Sequence, residues 1–253
     1  MGNSSSNSRG KSKLTIRPYR EEDRPAVREI CCRTAFRNRG CDLFFEDKEL
    51  FADYWTNYYL EYEPGLCFIA EMDGKIVGYL LGSADYKHFE RTMKKKILPA
   101  IFLKVLGRAL TFRYRRKITY RYLRWGIFES WREMPPIPYK RFPAHYHSNI
   151  LREGAFQHGF SRLLLRYLDE LEKRGVPGMH GIVLEPADGG WMTKLLAKAR
   201  ERQIGKEEFF AERPTSLFRI VLKDSTPMVN RVYGCSIETY RKFVSYVSTY
   251  YKF

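Results

Sequence analysis

Residues 143–186 constrain the fold most. They read PAHYHSNIL, REGAFQHG, FSRLLLRYLDELEKRG and VPGMHGIVLEP in succession. The first piece is strand-like. The third places Leu164, Leu168 and Leu171 on one helical face and ends at Gly175. The fourth, GMHGIVLEP, is strand-like again. Strand, Gly loop, amphipathic helix and strand in this order predict a parallel strand pair around the helix.

The rest of the chain supplies further layers. LTIRPY (14–19) alternates as a strand, and a helix follows with Asp23 as N-cap and Pro25 in its first turn. A second helix is expected within 44–62. Two apolar runs over 65–83 flank Asp73-Gly74, a tight hairpin signal. After 186, GGWMTKLLAKARERQIG reads as a helix ending at Gly205, EEFFAE and SLFRIVLKD as a closing strand pair, and the Tyr-rich tail as a helix around 226–250. The fold class is mixed α/β: a twisted mixed sheet flanked by helices. We expect a tail at 1–13, one domain over 14–224 carrying a basic helical insertion at 84–142, and an extension at 225–253.

The loop at 152–162 bears on function. A helix N-terminus offers unpaired N–H groups and partial positive charge, which suit a phosphate. Gly159 allows close backbone approach, Ser161 is small and can cap, and Arg162 adds charge. An ordinary strand-to-helix turn is the other reading of the same residues. The five cysteines, Cys31, Cys32, Cys41, Cys67 and Cys235, show no metal-ligand spacing. Neither a disulfide framework nor a metal site is expected, and a reducing, cytoplasmic setting fits.

The order of elements resembles the GNAT superfamily of acyl-CoA-dependent N-acyltransferases. LTIRPYREEDRPAVREI resembles its opening strand and helix, FIAEMDGKIVGYLLGS its second and third strands, and residues 143–185 its acyl-CoA-binding core. The family loop reads [Q/R]-x-x-G-x-[G/A]. Here Phe156 stands at the first position with Gln157 beside it, Gly159 at the first Gly and Ser161 at the second. The resemblance implies acetyl-CoA, or another acyl-CoA, as co-substrate. It would be held by Ile150, Leu151, Gly154, Gln157, His158, Gly159, Phe160, Ser161 and Arg162. It implies acetyl transfer to an amine by direct attack in a ternary complex. Candidate bases are His147, His145 and Glu153, with Glu71 on the facing hairpin; His145 and His147 share a strand face. Where many members use a Tyr to protonate the thiolate, this chain has Glu201, and Tyr233 is the substitute from the tail.

The charge has a location. Of a net +16, residues 87–124 hold thirteen Lys or Arg and one acid, Glu90, a local +12. Within them Leu98, Ile101, Phe102, Val105, Leu106, Ala109 and Leu110 fall at helical spacing, with Lys104 and Arg108 between. A basic amphipathic helix suits an anionic membrane surface, an acidic acyl carrier protein, or a face packed on the domain. Nucleic acid is disfavoured because no recognised motif accompanies the charge. The alternative to an enzyme is a non-catalytic module of the same fold at a membrane surface. The opening MGNSSS fits a myristoylation pattern at Gly2 and Ser6, followed by Arg9, Lys11 and Lys13; a plain Ser/Asn tail is the other reading.

Overall fold

The computed structural model describes residues 13–155, 157–204 and 208–250. The MGNSSS pattern, Arg9, Lys11, Phe156 and Gly205 lie outside the described residues.

β1 (Leu14–Pro18) is followed by α1 (Arg24–Asn38) and α2 (Lys48–Tyr62). Asp23 takes the N-cap position of α1 without capping it. Its carboxylate instead grips Arg17 at 2.7 and 2.8 Å and the Arg20 N–H. β2 (Cys67–Met72) and β3 (Lys75–Ser83) form the expected hairpin, with φ of +50° at Asp73 and +74° at Gly74. Both central residues of this turn type need positive φ, which is why Asp-Gly marks it.

The insertion forms α3 (Tyr86–Thr92), a π-helical turn, α4 (Leu98–Leu110) and α5 (Lys117–Phe128). Then come β4 (His145–Ile150), the single turn α6 (Arg152–Ala155), α7 (Gly159–Lys173), β5 (Gly178–Pro186), α8 (Trp191–Glu201), β6 (Phe209–Thr215), β7 (Met228–Ser236) and α9 (Ile237–Tyr250). The strands make two antiparallel sheets, ordered β1-β2-β3-β4 and β5-β7-β6.

Three expectations change. The parallel pair is a single bridge between Ala144 and Met179, after which β4 and β5 diverge. SLFRIVLKD makes no strand: Phe218–Leu222 is a π-helical turn, with Val221 buried in the core beside α5. The closing strand is β7, inside the segment read as a helix, and it is the middle strand of the second sheet. Apolar alternation failed there because Arg231 is buried. It pairs with Glu185 at 3.2 Å and Glu212 at 2.9 Å, so a charge stands where an apolar residue would mark a strand. The sheet therefore runs across the boundary expected at 224.

Alternation in the hairpin builds two cores. Cys67, Ile69, Tyr79 and Leu81 join α1 and α2 on one face; Phe68, Ala70 and Leu80 join Leu163, Leu164, Tyr167 and Leu168 of α7 on the other. α4 packs Ile101, Val105 and Ala109 against the first core. Lys104 bonds Asp53 at 2.9 Å and Arg108 pairs with Asp47, tying the insertion to α2. The single apolar face read from the sequence is thus divided. Leu98, Phe102, Leu106 and Leu110 point away from the core and are exposed.

Candidate active site

Backbone parity defines the gap between the sheets. Leu151 donates to the Val77 carbonyl, whereas Ala144 donates to Gly178 and accepts from His180 on β5. In a strand the groups of alternate residues face opposite edges. Those of Tyr146, Ser148 and Ile150 therefore face the gap, opposite those of Ile182 and Leu184. None of these five bonds across it among the described residues. The gap leads to the N-terminus of α7, where Gly159, Phe160 and Ser161 supply first-turn N–H groups and His158, at φ +55°, provides no side-chain cap. The N-terminus of α8 differs: the Glu185 carboxylate accepts from Met192 and Thr193 there, at 2.8 and 3.4 Å. Of these two ends, that of α7 is the one left to attract an anion.

The residues named from the sequence have mixed positions. Gln157 accepts from the Leu14 N–H at 2.9 Å, and Arg162 donates to the Leu14 carbonyl at 2.8 Å, so both anchor β1. Gly154 and Gly159 are buried and pack on Ile150; the close approach that Gly159 permits is toward its own strand. Phe160 and Ser161 line the groove between α7 and α8. His145 and His147 do share a face, on the side of α1 and α2. His145 is a core residue, enclosed by Tyr59, Tyr86, Phe89 and His180, and burial holds its pKa well below the ordinary value. His147 lies nearer the surface, stacked on Trp55 at 4.9 Å and beside Tyr79; burial lowers it to about 4. Asn149 completes this wall by donating to the Tyr79 hydroxyl at 2.7 Å. Glu153 is exposed on α6. Glu71 is held by Arg17 at 2.7 Å. The Tyr233 hydroxyl lies 3.0 Å from Thr193 Oγ1, beside the α8 N-terminus, and Glu201 is exposed.

Sequence reading missed what fills the groove. α9 lies between α7 and α8, contributing Tyr240, Phe243, Val244 and Val247, and leaves a cavity of only about 20 Å³. Its Tyr240 hydroxyl meets that of Tyr146, on β4, at 2.8 Å. Arg241 pins its start to Asp169 and Glu172 at the far end of α7. The sequence marked a helix in the Tyr-rich tail but held no signal for the groove it enters.

Similarity to solved structures bears on this arrangement. The crystal structure of SsHAT covers 89% of this chain and 98% of its own, at 24% identity and a TM-score of 0.57. The chain has the GNAT fold. Looser likenesses are a Staphylococcus aureus N-acetyltransferase (12% identity, TM-score 0.47, 89% and 99% coverage) and a Salmonella typhimurium putative acetyltransferase solved with acetyl-CoA (12%, 0.44, 88% and 94%). No protein-family model matches the sequence. Within the GNAT fold, the diverging strands and the uncapped α7 N-terminus are the features of this chain that can receive an elongated anionic molecule.

Proposed function

We propose that the protein is an acyl-CoA-dependent N-acyltransferase that moves an acetyl group from acetyl-CoA to an amine in a ternary complex. The observation that carries this reading is the gap, whose unpaired strand edges run to an uncapped helix N-terminus. The pyrophosphate would rest on the N–H groups of Gly159, Phe160 and Ser161. The pantetheine arm would follow the edge of β4, where the N–H groups of Tyr146, Ser148 and Ile150 are available to bond it and to polarise a thioester carbonyl. The amine would enter beside Tyr54 and Trp55, which are 42% and 37% exposed on α2. It attacks the carbonyl carbon, the carbon–sulfur bond breaks, and the thiolate leaves.

His147 is the base we assign. Its ring is neutral at neutral pH and burial makes it a weak base, so it would take the proton only once attack has made the amine nitrogen acidic; Trp55 stacks on the ring and fixes its orientation. Much of the rate would come from positioning rather than from this group.

α9 supports a second reading, a GNAT-fold module without catalysis, because it stands in the groove the cofactor needs. The two separate on binding. Acetyl-CoA titrated into the full chain should slow amide exchange at 146–150 and 159–162 and speed it at 237–250. Thiol release with a panel of primary amines should follow, with kcat about 10²–10⁴ lower in His147→Ala. Absence of binding and of turnover would leave the non-catalytic reading.

A further inference from the structure

α4 is apolar on both sides. Its inner face, Ile101, Val105 and Ala109, is packed. Its outer face is bare: Leu98, Phe102, Leu103, Leu106 and Leu110 are 40–69% exposed, and Phe112 just beyond is 83% exposed. At 3.6 residues per turn these outer positions span an arc of about 140°. A soluble surface helix normally turns charge outward there. Lys104 and Arg108, the charges within α4, are directed inward to Asp53 and Asp47 instead. The bases cluster at the two ends: Lys94, Lys95 and Lys96 before the helix, Arg113, Arg115, Arg116 and Lys117 after it. The side chains of Lys95, Arg113, Arg115 and Lys117 form no ion pair among the described residues, although the Arg115 N–H bonds the Glu46 carboxylate.

We infer that this face docks on an anionic membrane surface, with the α4 ridge in the acyl region and the two basic ends among the headgroups. Charge favours an anionic surface over a second copy of the chain. A second copy would bring another +12 segment against the first, which opposes self-association through this face. Shape agrees. Leu103, Leu110 and Phe112 project from a convex ridge, which a fluid apolar phase surrounds without needing a matching groove. An amphipathic element of this kind embeds roughly 5–10 Å into the interface, with affinity from apolar area and basic charge together. No helix among the described residues is long and apolar enough to cross a membrane, so the contact is one of surface docking.

The test is sedimentation of the full chain with sonicated vesicles. Binding to phosphatidylcholine vesicles containing about one-third phosphatidylserine should exceed binding to pure phosphatidylcholine by at least about tenfold and weaken with salt. The triple variant Leu103→Asn, Leu110→Asn, Phe112→Ser alters only exposed side chains and should lose about tenfold or more in affinity. Lys95→Glu with Arg113→Glu and Lys117→Glu should lose a similar factor and most of the salt dependence. Far-UV circular dichroism and thermal melts like those of the parent chain establish that both variants fold. Three results would each overturn the inference: no vesicle binding by the parent chain, equal binding to both vesicle types, or undiminished binding by the folded apolar variant. A dimer in velocity sedimentation that this variant dissolves would assign the face to a second copy instead. None of these readouts depends on acyl transfer, so they stand apart from the enzyme assay.

Discussion

A Cβ at Gly159 would lie 2.3 Å from Ile150 Cδ1 and 2.7 Å from the Gly154 carbonyl oxygen, so any side chain there must push β4 and its loop apart. Gly107, in the last turn of α4, would meet nothing within 4 Å. The same substitution should therefore have opposite effects at the two positions. Gly159→Ala should cost about 1–3 kcal/mol through overpacking. Gly107→Ala should gain about 0.5–1 kcal/mol, because Gly in a helix loses more backbone freedom on folding than Ala does. For a chain of this size each kcal/mol moves Tm by about 2–4 °C, so thermal melts separate the two. If Gly159→Ala melts like the parent chain, the tight seating of the loop on Ile150 is wrong. The stability of Gly159→Ala also bears on any binding assay, since loss of acetyl-CoA affinity in this variant would follow from a displaced loop as readily as from a lost phosphate contact.

The elements were legible from sequence to different depths. β2 and β3 announced themselves through alternation and Asp-Gly, and α7 through its leucines, because those signals are local. β7 was hidden by Arg231, whose partners Glu185 and Glu212 lie 46 and 19 residues away. The roles of Gln157 and Arg162 were hidden likewise, since both reach Leu14, more than 140 positions back. α9 was foreseen as a helix, yet its place in the groove depends on packing against two other helices, α7 and α8. That place gives a quantitative expectation. If α9 must leave before acyl-CoA enters, the apparent affinity is reduced by the fraction of chains with the groove open. Val247 is buried against α8, 5% exposed. Val247→Asp removes a contact worth about 1.5–3 kcal/mol. It should tighten acetyl-CoA binding by roughly 10- to 100-fold in calorimetric titration, and exchange at 237–250 should rise in parallel. An unchanged affinity with faster exchange would mean that α9 does not compete with the cofactor.

At the scale of the molecule, the two sheets meet at one point, the Ala144–Met179 bridge, and His145 and His180 stack there at 5.4 Å. Tyr59, Tyr86 and Phe89 surround the pair, and both nitrogens of His145 and Nε2 of His180 lack partners among the described residues. A charged imidazole is poorly tolerated in such a box. Burial lowers His180 from 6.5 to about 4, His147 likewise, and His145 well below its ordinary value. Above about pH 6.5 all three are neutral whether the chain is folded or not. Between about pH 6.5 and 4 the unfolded chain binds protons that the folded chain refuses, so folding stability falls as the pH drops through this window. His180, fully buried, accounts for about 3 kcal/mol of that loss across the window, and about 2 kcal/mol of it between pH 7 and 5. Urea titrations at pH 7 and pH 5 measure the effect directly. His180→Gln keeps a donor for the Phe142 carbonyl, which His180 Nδ1 meets at 2.7 Å, and cannot take up the proton. The variant should be less stable than the parent at pH 7 yet lose less on going to pH 5. Equal losses in the two proteins would place the acid sensitivity elsewhere. A smaller loss in the variant would locate it at the junction, where protonation acts on the contact that joins the two halves of the sheet.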